Sequence, residues 1–143
     1  MTKIHRSALV EYSASQMFDL VNDIEQYPKF LPGCSEARVL SASDTELIGE
    51  LKLSKAGISQ QFTTRNTLDR PASICMEMLE GNFTSFDARW EFTPLAETAS
   101  KVSLTMEFQF KSSIVGFAVE KLFSAVANSQ VDAMVERARQ IYG

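Results

Sequence analysis

The sequence predicts an α+β fold in which a curved antiparallel sheet of about six or seven strands wraps around one long C-terminal helix, with two small helices after the first strand. Three observations predict it. Between Thr45 and Lys111 apolar and polar residues mostly alternate with a period of two, the pattern of strands with one wet face. Short turn-forming segments separate the alternating runs, which favours antiparallel neighbours. From Val115 onward apolar residues recur three and four positions apart, the pattern of an amphipathic helix.

The N-terminal elements are a strand and two small helices. The strand is predicted over about Lys3 to Tyr12, with alternate apolar residues. Ser13 or Ser15 can cap the first helix, because a serine side chain accepts hydrogen bonds from the free backbone N–H groups of a helix start. A short helix or turn is predicted over Ile24 to Phe30.

The later strands are predicted from the residues that would share the apolar face of the sheet. The clearest strand runs from Lys101 to Lys111, and Pro94 to Ser100 is predicted as the turn before it. The apolar-face residues are, in chain order, Leu47, Gly49, Leu51 and Leu53; Ile58, Phe62 and Leu68; Ile74, Met76 and Met78; Phe86, Ala88, Trp90 and Phe92; and Val102, Leu104, Met106, Phe108 and Phe110. A further strand is predicted over Cys34 to Ser43, with Val39 and Leu40 as its weak apolar signal.

The last helix is predicted from about Val115 to Ile141. At 1.5 Å per residue it would be about 40 Å long, which is enough to cross the apolar face of the sheet. A sheet with one apolar face needs a cover, and this helix is the only predicted element of sufficient length. Its apolar positions are Val119, Leu122, Phe123, Val126, Ala133, Met134, Ala138 and Ile141. Either a packed core or a cavity can lie between helix and sheet.

Composition bounds the class of protein. The 143 residues fit one domain, and a content of 45% apolar and 22% charged residues is globular. The 14 basic and 18 acidic residues give a net charge of −4, which disfavours DNA as a partner. Two cysteines are too few for a disulfide framework, and no apolar run approaches the roughly 18 residues of a membrane span. We expect a cytoplasmic protein that at most lies at the surface of the inner membrane.

Residues that carry catalysis or bind metals are sparse. His5 falls in the outward phase of the first strand and is expected at the surface. Cys34 and Cys75 are far apart and form no pair at metal-ligand spacing. Asp132 and Glu136 are four positions apart on the last helix, as on a solvated face with ion pairs. The sequence predicts no enzyme active site, no metal site and no required cofactor.

Polar residues interrupt the apolar pattern in two places. Gln60, Thr64 and Asn66 share the inward phase of one strand, and residues 128–130 (Asn-Ser-Gln) break the apolar stripe of the last helix. Buried amides without partners cost roughly 1–3 kcal/mol each. Either these groups bond to one another or to backbone, or they line a wet or liganded space. For the helix, the alternative is that this stretch overhangs the edge of the sheet.

The loop after the small helices carries large apolar residues between two prolines. It contains Tyr27, Pro28, Phe30, Leu31 and Pro32. An exposed apolar loop suits a lid over a cavity or an edge that touches a membrane. The alternative is a loop packed on the core.

The chain resembles the START-like (helix-grip, SRPBCC) family related to polyketide cyclases. Within it, the chain is most similar to the branch of the coenzyme-Q-binding proteins and the bacterial ribosome association toxins. The resemblance covers essentially the whole chain, and the Tyr-Pro-x-Phe-Leu-Pro-x-Cys run is its most specific part. The matching segments are Asp23 to Cys34, Glu80 to Phe83, Trp90 to Phe92, Phe108 to Ser112 and Arg137 to Arg139.

The resemblance implies one START-like lipid-binding domain over residues 1–143 with an apolar cavity between sheet and helix. The implied ligand is ubiquinone or a related lipid, bound without a redox centre in the protein. The residues expected to line the cavity are Gln60, Phe62, Thr64, Asn66, Met76, Met78, Trp90, Phe92, Met106, Phe108, Val119 and Phe123. Those expected at its mouth are Tyr27, Phe30, Leu31 and Pro32.

The resemblance implies two alternative functions, one from the coenzyme-Q-binding proteins and one from the ribosome association toxins. The leading interpretation is a module that binds a quinone or similar lipid and supports respiratory electron transport. The alternative is a toxin that binds the large ribosomal subunit and blocks subunit association. It needs a surface that tolerates RNA, and the net charge of −4 argues mildly against it. The residues that would form a basic outer patch are Lys52, Lys55, Arg65, Arg70 and Arg89.

Overall fold

The predicted architecture is confirmed. The computed structural model describes residues 2–111 and 116–143. Its strands are β1 (Thr2–Val10), β2 (Cys34–Ala42), β3 (Glu46–Lys55), β4 (Ile58–Asp69), β5 (Ser73–Glu80), β6 (Phe83–Ala96) and β7 (Ala99–Phe110). Its α-helices are α1 (Ala14–Asn22) and α2 (Phe117–Tyr142), and a 3-10 helix spans Ile24–Lys29.

The seven strands form one sheet in the order β1-β7-β6-β5-β4-β3-β2, and neighbouring strands are antiparallel. Strands β2 to β7 follow one another as a meander. Strand β1 closes the far edge by pairing with β7, with Thr2 opposite Phe108. The inward residues of β7 from Val102 to Phe110 are buried beneath the helices, as their alternation predicts.

The helix starts follow from local chemistry. Ser13, rather than Ser15, caps α1: its hydroxyl accepts a hydrogen bond from the Gln16 backbone N–H at 3.1 Å. The Gln16 side chain accepts one from the Ser13 N–H at 2.9 Å, which completes a capping box. The predicted start of α2 near Val115 lies outside the described residues, and within them the helix begins at Phe117 after Gly116.

Two details of the predicted elements were wrong. The segment from Pro94 to Ser100 is mostly strand, because a register shift at Pro94 lets the proline sit in β6 without breaking the pairing of Ala96 with Ala99. Ile141 is 49% exposed, since α2 is exposed from Arg139 to its end.

Glycines set two close approaches and one turn. At Gly33 the φ angle is +88°, and an added Cβ would lie 2.6 Å from Cγ2 of Val126 on α2. An added Cβ at Gly49 would contact Cδ1 of Ile24. Residues 56 and 57 join β3 to β4 in a two-residue turn with φ angles of +52° and +82°, as hairpin twist requires. Gly33 and Gly49 thereby let α2 and the 3-10 helix lie close to their neighbours.

Candidate functional site

The first half of α2 is fixed to the sheet by an aromatic cluster. Phe123 projects from α2 into this cluster, where its ring centroid lies 4.8 Å from that of Phe108 and 5.3 Å from that of Phe62. The other members are Phe83, Phe86 and Phe110, each within 6.4 Å of Phe123. Edge-to-face packing of this kind is favourable and leaves little space between rings. Phe62, Phe108 and Phe123 therefore lie in solid core rather than along an open ligand channel.

A small internal cavity remains beneath the second half of α2. It has a volume of about 20 Å³. The predicted residues that line it are Thr64, Asn66, Met76 and Trp90, and Gln130 of α2 faces them. The Thr64 hydroxyl donates a hydrogen bond to Oδ1 of Asn66 at 2.9 Å. Of the polar groups singled out on β4 and α2, Thr64, Asn66 and Gln130 thus converge, in a space that fits about one water molecule. Asn128 and Ser129 do not line this space.

The other predicted cavity residues lie outside this space. Phe92 packs between Trp90 and Phe18, with ring centroids 6.3 and 5.7 Å away. Met106 is buried in the core, and Gln60 accepts a hydrogen bond from the Asn82 amide at 3.4 Å. Met78 and Val119 are partly buried at the margin of the core.

The segment expected to form a mouth is packed onto the core over most of its length. Tyr27 is 5% exposed, and its hydroxyl donates a hydrogen bond to the Val21 carbonyl. Burial, the main cause, raises the pKa of Tyr27 far above its ordinary value. Leu31 is also buried, while Phe30 lies between the Tyr27 ring and the guanidinium of Arg137. Of the four predicted mouth residues, only Pro32 is exposed.

An apolar groove that the sequence did not indicate runs beside α2. Two adjoining depressions of about 350 and 290 Å³ form it, between the outer side of the helix, the β3–β4 turn and the Pro32–Gly33 loop. We call it the α2 groove; the residues that line it include Lys55, Ile58, Ala118, Lys121, Leu122 and Ala125. The sequence feature that could have drawn attention to it is the spacing of Ala118, Lys121 and Ala125, which puts small residues and one lysine on a single helix face.

The expected basic outer patch is not formed. Lys52, Arg65, Arg70 and Arg89 each have a carboxylate within 4 Å, at distances from 2.7 to 3.9 Å. These partners are Glu36; Glu46 and Glu77; Asp19; and Glu91. Lys55 lies apart from them, at the α2 groove. Exposed pairs add little stability, but they cancel the positive charge that a phosphate would meet.

Groups with chemical reactivity are placed in inert surroundings. His5 is exposed, with Nδ1 2.9 Å from the Thr105 hydroxyl. Cys34 is buried, and burial raises its pKa to about 11, so the thiol stays protonated near neutral pH. Within residues 2–111 and 116–143 no group of three or more His, Cys, Asp or Glu side chains could hold a metal ion. In the same part of the chain no helix has the length and apolarity to cross a bilayer.

The fold and the match to a family model define the class of protein. Residues 10–135 match the family described as polyketide cyclase / dehydrase and lipid transport. The chain belongs to this family and has its START-like, helix-grip fold.

Named relatives are similar to this chain over almost its whole length. The ribosome association toxin RatA of Vibrio cholerae is 46% identical over 143 residues, covering 100% of this chain and 99% of that protein. The protein of the same name from Escherichia coli K12 is 40% identical, covering 99% of this chain and 90% of its own length. A mitochondrial coenzyme Q-binding protein, COQ10 homolog B of Xenopus laevis, is 25% identical over 96% of this chain and 58% of its own length.

Solved structures support the fold alone. The Zhui aromatase/cyclase from Streptomyces sp. R1128 has a TM-score of 0.83 at 16% identity, covering 99% of this chain and 96% of that one. A START superfamily protein from Mycobacterium smegmatis has a TM-score of 0.78 at 20% identity, covering 97% and 98%. The same fold therefore carries an enzyme in one of these neighbours, while the more similar relatives are named as toxins or as a binding protein.

Proposed function

We propose that this protein associates with the ribosome, as a cytoplasmic toxin that binds the large subunit and blocks subunit association. One observation carries the proposal: full-length identity of 46% and 40% with two proteins named ribosome association toxin. These alignments cover 99–100% of this chain and at least 90% of both relatives. The proposed activity is binding rather than catalysis.

The closed interior supports an action at the surface. Pockets that hold drug-sized ligands measure about 300–1,000 Å³. The internal cavity of about 20 Å³ is far below that range, and Phe123 and its aromatic neighbours fill the space between the first half of α2 and the sheet. A quinone would therefore need α2 to move away from the sheet, whereas a macromolecular partner can bind the surface as it stands.

Binding of ubiquinone or a related lipid, in support of respiratory electron transport, is the second candidate. The name of the Xenopus relative favours it, and so does the convergence of Thr64, Asn66 and Gln130 on one apolar-walled space. Such groups could orient a quinone carbonyl once the cavity had opened.

Two measurements on one preparation decide between the candidates. Purified protein is mixed with dissociated ribosomal subunits and run on a sucrose gradient, and the same preparation is extracted and analysed for lipid. We expect the protein to sediment with the large subunit and to reduce the yield of joined ribosomes when magnesium is restored.

Thr64→Val provides the control, because it changes the wall of the cavity and keeps the surface and the side-chain size. It should leave sedimentation unchanged. Protein that carries stoichiometric quinone and stays at the top of the gradient would replace the first candidate with the second.

A further inference from the structure

We propose that the α2 groove is the surface through which the protein holds its ribosomal partner, and that the occupant is a protein helix with one apolar face and acidic flanks. The inference rests on the proposed ribosome association. It goes further by naming the surface and the chemistry of the partner.

The dimensions of the α2 groove fit a short helix. It extends along α2 from Ala118 to Ser129, which is about 17 Å at 1.5 Å per residue, or three turns of a partner helix. Its floor is apolar, with Ile58 and Leu122. The exposed wall presents Ala118 and Ala125, whose small side chains let another backbone approach to the 8–10 Å typical of packed helices.

The charges at the rim of the α2 groove indicate that the flanks of the partner helix are acidic. Lys55 and Lys121 stand at the rim, and neither has a carboxylate partner in the described part of the chain. No acidic side chain lines either depression of the α2 groove among those residues. Several cations on the outer face of the sheet, among them Lys52, Arg65 and Arg89, are instead paired with carboxylates. The α2 groove is thus a place where a molecule of net charge −4 offers uncompensated positive charge to a partner.

The same features favour a protein helix over RNA. Phosphate binding is built from a stripe of cations or from aromatic platforms on which bases stack. The α2 groove has two lysines over an apolar floor, which suits helix-in-groove recognition, with apolar anchors at i, i+3, i+4 and i+7.

A labelled peptide tests the α2 groove directly. The probe is a fluorescein-labelled helix of about 16 residues with leucines at the anchor spacing and glutamates on the flanks. Its control has lysine in place of every glutamate. Fluorescence anisotropy should show saturable binding of the glutamate peptide to the wild-type protein and at least tenfold weaker binding of the lysine peptide.

Matched variants locate the binding. Ala125→Trp fills the α2 groove and should abolish peptide binding, while Ala96→Trp, at an exposed alanine of β6, should not change it. Lys55→Glu with Lys121→Glu should weaken binding about tenfold. Lys101→Glu with Lys111→Glu changes the net charge equally at exposed sites elsewhere and should leave binding within twofold. Circular dichroism confirms that each variant is folded.

The same variants on the sucrose gradient separate the two proposals. If Ala125→Trp loses ribosome association and Ala96→Trp keeps it, the result supports both the proposed function and the role of the α2 groove. Association that survives Ala125→Trp and falls steeply with salt would indicate RNA phosphates and overturn this inference, while the proposed function stands. If the wild-type protein does not sediment with the large subunit, the proposed function fails. Peptide binding then tests the α2 groove by itself, and an absence of saturable peptide binding overturns this inference.

Discussion

Replacing three glycines one at a time should separate backbone strain from steric overlap, two effects that combine at Gly33, where α2 meets the loop after the 3-10 helix. Gly57 has φ +82° with open space around it, so Gly57→Ala tests strain alone. Gly49 has no positive φ, and an added Cβ would meet the terminal methyl of the Ile24 side chain, so Gly49→Ala tests overlap alone. Gly33 combines a φ of +88° with a contact of 2.6 Å to Val126.

The expected magnitudes follow from these differences. A non-glycine residue in the left-handed region costs about 1–2 kcal/mol, so Gly57→Ala should lower the free energy of unfolding by about 1 kcal/mol. Overpacking costs about 1–3 kcal/mol, and Gly49→Ala should fall at the low end because a methyl of Ile24 can rotate away. Val126 is β-branched and held in one rotamer on a helix, so it cannot yield. Gly33→Ala should therefore cost about 3–4 kcal/mol.

A double-mutant cycle isolates the overlap. Val126→Ala removes the methyl that an added Cβ at position 33 would meet. In that background Gly33→Ala should cost only the backbone strain, which gives a coupling energy of about 2 kcal/mol, within the range for residues in contact. The measurement is urea unfolding of the four proteins, with stability taken from midpoint and slope. If Gly33→Ala costs the same in both backgrounds, α2 does not pack on the loop as described.

Two further predictions concern the core. Trp90 is 2% exposed and its ring stacks on Phe92, so Trp90→Ala should lower stability by about 3–5 kcal/mol and the urea midpoint by roughly 2 M; a loss below about 1 kcal/mol would contradict its placement. Burial raises the pKa of Cys34 from 9.0 to about 11 and that of Tyr27 higher still, so the folded state keeps protons that the unfolded chain releases. The urea midpoint should fall as pH rises from about 9 to 11, and Cys34→Ala should flatten the first part of this decline; a constant midpoint would refute the assignment.

The elements could be predicted because each carries its own period. The strict alternation of β7 and the three- and four-residue spacing of α2 are local signals that tertiary contacts did not override. The convergence of Thr64 and Asn66 with Gln130 was also indicated, since their polarity stands out against apolar neighbours on the same face.

The features that the sequence did not predict depend on which residues face one another across strands and on how side chains fill the interior. The expected basic patch is not formed because most of the carboxylates that pair with the outer cations lie on other elements of the fold; Arg65 reaches Glu46 on β3 and Glu77 on β5. The size of the cavity is set by how closely the side chains beneath α2 pack together, which residue types alone do not determine. The α2 groove was not predicted, because the alanines that line it carry no marked hydropathy signal.

The pairing of β1 with β7 has a consequence for how the chain is made. His5 and Thr105, which touch in the finished sheet, are separated by 100 residues along the chain. At synthesis rates of about 5–20 residues per second, β1 waits roughly 5–20 s for the strand that completes it. Meanwhile the meander from β2 to β7 can form from near neighbours, while joining the first strand carries the entropy of closing a long loop. The edge of β7 that later receives β1 therefore stays unpaired until the first strand joins, and for that interval it is a place where another extended chain could add instead of β1.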